Sequence, residues 1–425
     1  MNILLLGSGG REHALARKLA QSPLCTRLYI APGNGGTLQH GTNVAISVND
    51  FAALEAFAAE KGIDLVVVGP EDPLVNGVYD YFEERGIPVI GPSKAAAQLE
   101  GSKAFSKKFM QRHGIPTASY AEFTEDSFEA GLAYLRQHTL PIVLKADGLA
   151  AGKGVVICPT HAEALAVFTD MIKNRKFGEA SSKVVVEEFL QGIEISVFVL
   201  TDGKDYKVIG HAKDYKRVGE GDIGPNTGGM GCVSPVPFAH EAFMQKVVSR
   251  IIEPTINGLH AEGLVYKGFV FLGLINVQGE PMVIEYNCRM GDPETEVIMP
   301  RLKSDLVELL IKLNKGELGT ATVELDERAA ATVMVVSGGY PGDYQKGKPI
   351  TLPAEDEIPS EVFLYHAGTA LSPSGTLVTN GGRVLAVTAM ASTIQEAAAK
   401  ATQIAAKVRF EGSNYRRDIG YEFKG

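Results

Sequence analysis

Residues 145–158 read KADGLAAGKGVVIC. The run tempts one towards a phosphate-binding loop of the G-x-x-x-x-G-K-[ST] type, but the spacing is one residue short and Gly154, not Ser or Thr, follows Lys153. What comes next is a strand pattern, VVIC, where that loop needs a helix. The stretch therefore predicts two strands joined by a Gly-rich turn, with Lys145 on the first strand. Such a hairpin can fold down over a triphosphate, because glycines let backbone N–H groups approach and the lysine neutralises charge. An isolated hairpin with surface lysines would have the same composition.

Strand alternation continues on both sides in PIVLKA, GVVIC, VVVEEFL and EISVFVL, so residues from about 120 to 200 predict a small α+β unit inserted into a larger one. Before it lies one helical stretch, SKAAAQLEGSKAFSKKFMQRHG (93–114). After it, residues 201–312 hold a Gly-rich loop, a long helix, the strands GFVFLGLIN and PMVIEYN, and a closing helix. Residues 1–92 alternate Val/Ile/Leu runs with amphipathic helices, which predicts a doubly wound parallel sheet. The last hundred or so residues pair the strands ATVMVVSGG and GRVLAVTAM with a helix, TIQEAAAKATQIAAKV. The expected architecture is multi-domain α/β and α+β: an N-terminal α/β domain over 1–100, a central domain over 101–325 with a lid at about 120–195, and a C-terminal β-rich α+β domain over 326–425.

Composition agrees with a multi-domain globular chain. It has 425 residues, 45% hydrophobic and 21% charged, enough for about two to four domains, each with a core. A net charge of -9 argues against nucleic acid as a partner, so any phosphate must be met by local cations and backbone N–H groups. Cys25, Cys158, Cys232 and Cys288 are scattered with no C-x-x-C pair, which points away from disulfides and zinc and towards a reducing cytoplasm. No apolar run reaches the roughly 18–20 residues of a membrane span. MNILLLGSGGREHALARKLA reads as strand, turn and helix rather than a signal peptide, so a soluble, unprocessed protein is expected.

Ligands of doubly wound sheets sit at the carboxyl ends of strands. Those ends carry polar, Gly-rich turns at 7–12, 31–37 and 69–73. In the first, Glu12 stands where the dinucleotide fingerprint needs its third glycine, although the N–H groups of Gly9 and Gly10 with Arg11 could still hold an anion. A tight strand-to-helix turn with no ligand would look the same. In VVVEEFLQGIEIS (184–196), a strand end offers backbone groups to an adenine edge and Glu194 a carboxylate to ribose hydroxyls. In VIEYNCRMGDPE (283–294), Glu285 and Asn287 at i and i+2 put two hard oxygens on one face, and Arg289 continues it. The basic, Gly-rich run from Asp214 to residue 231 could close over a small ligand or form an exposed loop.

Read in order, GSGGREHALA, APGNGGT, VGPEDPL, QLEGSKAFSKKFM, KADGLAAGKGV, VEEFLQGIEIS, YKRVGEGDIGPNTGGMG, IEYNCRMGDPET, SGGYPGDY and NGGRVL resemble the ATP-grasp ligases over nearly the whole chain, and within them the phosphoribosylamine–glycine ligase family. The resemblance implies condensation of glycine with 5-phosphoribosylamine in purine biosynthesis, with ATP converting glycine to glycyl phosphate. No enzyme nucleophile is needed, so catalysis reduces to positioning and charge neutralisation. It implies ATP and Mg²⁺, with Mn²⁺ as a substitute, and a cytoplasmic monomer whose partners are small molecules, not nucleic acid or membrane.

Carried onto this chain, Lys103 and Lys145 contact ATP phosphates and residues 148–154, including Gly152, Lys153 and Gly154, cover them. Glu187, Glu188, Phe189 and Leu190 line the adenine, Glu194 the ribose, and Glu285 with Asn287 hold the metal. Arg289 and Asp292 contact the transition state and substrate. Gly9, Gly10, Arg11 and Glu12 with Gly69, Pro70, Glu71 and Asp72 help bind phosphoribosylamine. Asp214, Glu294 and Asp292 are all candidates for the base. Many relatives place a second metal carboxylate on the preceding strand, but GFVFLGLIN (268–276) has none.

Other classes fit less well. A nicotinamide oxidoreductase would use the N-terminal unit but needs neither Glu12 nor a Glu-x-Asn pair. A non-catalytic nucleotide binder has no reason to keep Lys103, Lys145, Glu285, Asn287 and Arg289 together. Biotin-carboxylase-like or aminoimidazole carboxylase-type ligases are disfavoured by RMGDPET and by the lack of a biotinyl-acceptor domain.

Overall fold

The computed structural model describes residues 1–150 and 154–423, so Gly152 and Lys153 lie outside the described residues. Near the N-terminus, five parallel strands run in the order Thr42–Asn43, Arg27–Pro32, Asn2–Gly7, Leu65–Val68 and Val89–Pro92. The order reverses direction from the central strand Asn2–Gly7, which makes the sheet doubly wound. Ile3 and Leu5 enter one hydrophobic cluster while Leu4 and Leu6 enter another on the opposite face. Burial on both faces explains the uninterrupted apolar run ILLL.

This sheet does not end at a domain boundary. Tyr266 and Lys267 of the strand Tyr266–Val277 pair antiparallel with Pro92 and Gly91, and the ladder runs on to a total of thirteen strands. At its far side Gly231–Ser234 pairs with Ala329–Val336, which pairs with Arg383–Ala391 of the C-terminal unit. Pairing across the units removes sheet edges that would otherwise expose unpaired backbone. The strand Ile193–Thr201, which carries EISVFVL, belongs to this large sheet and not to the inserted unit, because it pairs with Tyr266–Val277 over nine residues.

The inserted unit is a separate four-stranded sheet, with Lys183–Glu188 between Tyr120–Thr124 and Ile142–Ala146, and Val155–Cys158 at the edge. Its own small core, including Leu144, Phe168 and Val186, packs under the helices Phe128–Gln137 and His161–Lys173. Lys145 and Val155 pair across the hairpin, as the 145–158 stretch predicts. The single helix expected over 93–114 is instead two, Gln98–Gly101 and Lys103–Arg112, broken at Ser102. Ser102 takes an extended conformation and caps the second helix by accepting the N–H of Phe105 at 3.1 Å. Asp147 secures the break, accepting from Ser102 Oγ at 3.0 Å and from the Ala104 N–H at 2.7 Å. The 214–231 run contains a hairpin, Arg217–Gly219 with Ile223–Asn226, whose tip is exposed. Among the described residues no helix is long and apolar enough to cross a membrane.

Candidate active site

The turn after the first strand is built around Glu12. Gly7 has φ +125°, a region that disfavours side chains, and its missing Cβ leaves space for the Glu12 side chain that folds back beneath it. Glu12 is buried; one oxygen accepts the N–H of Gly9 at 2.6 Å and the other pairs with Arg11 Nε at 2.5 Å. Gly69, on the neighbouring strand end, is bare for the same reason, since a Cβ there would collide with Glu12. The Gly9 N–H expected for an anion is therefore spent inside the turn. Arg11 also reaches the Met290 carbonyl at 3.3 Å, and its own N–H points to Asp292 Oδ2 at 3.3 Å.

The strand Glu280–Asn287 delivers the second half. Tyr286 faces the core, so Glu285 and Asn287 face the other way. Arg289, just past the strand end, joins the units: Nε donates to Glu71 at 3.2 Å, and Nη2 reaches Glu100 at 2.7 Å and Asn287 Oδ1 at 3.2 Å. Glu71 lies in the first turn of the helix Glu71–Val75, after Pro70, while Asp72 beside it is exposed. Burial alone would raise Glu71, but Arg289 and Arg11 outweigh it and hold the carboxyl below its ordinary value. Asp292 is half-buried, and although burial would raise its carboxyl too, Arg383 at 3.1 Å and Arg11 outweigh it and hold it below its ordinary value.

Two buried lysines converge on a carboxylate. Lys107 and Lys145 lie 3.2 and 3.0 Å from the same oxygen of Glu187, all three buried, and Lys145 also donates to the Ile284 carbonyl at 3.2 Å. The Glu187 side chain thus turns inward between two lysines, and its other oxygen has no hydrogen-bond partner among the described residues. Lys103 donates to the Gly148 carbonyl at 3.2 Å, and burial lowers its pKa despite nearby Glu285. Glu188 accepts the Ser119 N–H at 2.8 Å, Phe189 is exposed, and Leu190 is half-buried. Gly154 is buried at the start of the outer strand, where a Cβ would press on Ala150 at 2.8 Å.

Between the two halves sits an acidic group. Glu194 pairs with Lys216, whose other neighbour is Asp214 at 3.9 Å. Burial pushes Asp214 up, and Glu194 and Glu285 add to it against Lys216. Glu294 accepts from Ser196 Oγ at 3.2 Å and is pushed up to about 7, first by burial and then by Asp214. Such a carboxyl holds or releases a proton near neutral pH.

Glu285 and the Asn287 amide oxygen fit a hard divalent ion. No cluster of three His, Cys, Asp or Glu side chains among the described residues is placed to hold a metal, so such an ion would draw its remaining ligands from phosphates and water, as Mg²⁺ prefers.

Three family models match in sequence order: the phosphoribosylglycinamide synthetase N domain over residues 1–100, its ATP-grasp (A) domain over 101–295, and its C domain over 330–422. The chain belongs to this family. The Haemophilus influenzae phosphoribosylamine–glycine ligase is 53% identical over 425 residues, covering 99% of this chain and 98% of that one. The crystal structure of the Thermotoga maritima phosphoribosylamine–glycine ligase has a TM-score of 0.85 at 36% identity and covers 98% of this chain and 100% of that one. Biotin carboxylase of Campylobacter jejuni shares the fold alone, with a TM-score of 0.73 at 18% identity over 99% of this chain and 94% of its own.

In this ATP-grasp ligase, several site residues escape sequence reasoning. Glu100 anchors Arg289 and accepts the Cys288 N–H at 2.7 Å. Arg383, from the C-terminal unit, donates to the carbonyls of Gly228 at 2.8 Å and Asp292 at 2.9 Å, while Tyr340 accepts the Gly228 N–H at 2.9 Å. Glu296 is fully buried against Gly10 with neither oxygen hydrogen-bonded among the described residues, and burial followed by Asp292 pushes it well up. Each sits in or beside one of the motif strings QLEGSKAF, NGGRVL, SGGYPGDY and RMGDPET. Location in those strings was the one available signal.

Proposed function

We propose that this ligase joins glycine to 5-phosphoribosylamine, forming glycinamide ribonucleotide, ADP and phosphate through glycyl phosphate in de novo purine biosynthesis. The observation that carries the reading is Arg289, which binds Glu71 of the N-terminal unit while sharing the Asn287 amide of the ATP-grasp sheet. It brings the strand-end turns proposed for the sugar phosphate against the strand proposed for the nucleotide phosphates.

Lys103 and Lys145 take the ATP phosphates, residues 148–154 cover them, the Glu187–Leu190 segment lines adenine through its backbone, and Glu194 takes the ribose. On nucleotide binding the phosphates replace Glu187 as the partner of Lys145. Glu285 and Asn287 would hold Mg²⁺, with Mn²⁺ as a substitute; bound there, the ion would neutralise phosphate charge and polarise the transferring group. Gly10, Arg11, Glu71 and Asp72 bind phosphoribosylamine, and Arg289 with Asp292 orients glycine and the developing acyl phosphate. Glu294, pushed up to about 7 by burial and Asp214, is a stronger base for the proton of the attacking amine than Asp292, whose basicity Arg383 and Arg11 reduce. The three units follow 1–100, 101–325 and 326–425, with a lid at about 120–195, in a cytoplasmic monomer that binds neither nucleic acid nor membrane.

The test is ADP release by purified protein with ATP·Mg²⁺, glycine, and ribose 5-phosphate plus ammonia as the source of phosphoribosylamine. ADP should require both glycine and the amine for turnover. Glycine-independent ADP formation would overturn the reading.

A further inference from the structure

Asn34, in the APGNGGT turn, is 7% exposed and its amide is fully used. Nδ2 donates to the Ser8 carbonyl at 2.8 Å and the His366 carbonyl at 2.7 Å, with the Gly9 carbonyl at 3.4 Å. Oδ1 accepts the N–H groups of Gly36 at 2.8 Å and Thr37 at 3.1 Å. Two carbonyls on one side and two N–H groups on the other fix which end of the amide is which, and they fill its two donors and two lone pairs. One side chain therefore joins the 7–12 turn, its own turn and the strand Val362–His366 of the C-terminal unit.

The bond to Ser8 sets more than a distance. In a trans peptide the carbonyl and the next N–H point in opposite directions. With the Ser8 carbonyl turned to Asn34, the Gly9 N–H must face Glu12, where it is found. The Gly9 carbonyl faces Asn34 and accepts the His13 N–H at 3.0 Å, so the Gly10 N–H faces away from Asn34. A flip of either plane would put a carbonyl where the start of the helix Gly10–Ala20 presents N–H groups.

We propose that Asn34 is a positioning residue for phosphoribosylamine: it fixes the peptide planes of the 7–12 turn and ties them to His366, so this half of the site keeps its register only while the C-terminal unit is docked. The inference rests on the assignment of the 7–12 turn to that substrate. The two ends of the amide separate this role from simple support of the 33–37 turn, which needs only the oxygen.

Asn34→Asp keeps the acceptor for Gly36 and Thr37 but sets a carboxylate oxygen against two carbonyls. It should raise KM for phosphoribosylamine at least tenfold while KM for glycine and ATP stays within twofold and the melting curve shows a folded protein. An unchanged KM for phosphoribosylamine, or an equal loss for all three substrates, overturns the proposal. If Asn34→Asp does not fold, Asn34→Ser, too short to reach both Ser8 and His366, carries the same test: a selective rise in that KM supports the role, and an unchanged KM or an equal loss overturns it. Asp72→Asn serves as an independent probe of the substrate site. If it raises that KM and Asn34→Asp does not, only the role of Asn34 falls; if neither does, with the native enzyme active, the substrate assignment falls with it.

Discussion

His366 donates its backbone N–H to Nδ1 of His13 at 2.7 Å, so the buried imidazole of the N-terminal unit must be neutral with its proton on Nε2. The same residue gives its carbonyl to Asn34, and both polar groups of its backbone are thereby spent on holding the two ends of the chain together. The His13 ring also lies 5.1 Å from His40 and 5.5 Å from His366. Burial, then the neighbouring imidazoles and Arg17, lowers the pKa of His13 well below its ordinary value, and burial brings His40 and His366 down to about 4.

This contact should be sensitive to acid. Histidines with folded pKa values below the unfolded 6.5 bind fewer protons in the native state, so their neutral form supports folding above about pH 6.5 and that support is lost as pH falls towards 4. At pH 5 the loss is about 2 kcal/mol for His366. Glu294, raised to about 7, works in the opposite direction, so the comparison must be differential. His13→Asn keeps an amide oxygen near Nδ1 but does not titrate, and its urea midpoint should fall less than that of the native protein between pH 7 and 5. Parallel pH slopes would contradict the assignment.

Glu187→Gln should destabilise the inserted unit. It leaves Lys107 and Lys145 facing each other, with side chains only 2% and 6% exposed, without the anion between them. Breaking a buried pair in this way costs about 3–5 kcal/mol. Hydrogen exchange should rise in Ile142–Ala146 and Lys183–Glu188 before the large sheet responds. Lys107→Met in the same chain should recover part of the loss, and an additive double variant would count against the shared contact.

Glu285→Gln keeps the shape of the side chain and removes one charge from the proposed metal position. Loss of such a contact typically costs on the order of 3–4 kcal/mol in the barrier, about 10²–10³ in turnover. Folding should be retained. A near-normal rate at saturating Mg²⁺ would show that the metal lies elsewhere.

The order of chemistry is open to isotope exchange. ATP labelled with ¹⁸O at the β–γ bridge should scramble the label into non-bridging β positions when glycine is present and phosphoribosylamine absent, because ADP beside glycyl phosphate can rotate its β-phosphoryl group and recombine. An enzyme that closes only around the amine would need an unreactive analogue of phosphoribosylamine as well. No scrambling under either condition, with ATP and glycine shown to be bound, would exclude glycyl phosphate formation before the amine reacts.

Periodicity and strand-end chemistry are local properties, and they made much of this protein legible in its sequence. ILLL, LVVV and the helices between them specify a parallel sheet because each run needs burial on both faces, and Lys145 with Val155 specifies a hairpin because glycines separate two alternating strands. Glu285 and Asn287 were legible through the period of two. Tertiary structure alone decided the rest. Ile193–Thr201 joined the large sheet because one of its two pairing partners lies more than sixty residues away, which no local pattern encodes. Glu187 is held between two lysines because their ammonium groups arrive from a different helix and strand. Asn34, Glu100 and Arg383 look like ordinary turn, helix and strand residues until the fold brings carbonyls and charges to them across 332, 189 and 91 positions of chain. A buried polar group takes its role from the partners that satisfy it, and for these residues only the folded chain supplies those partners.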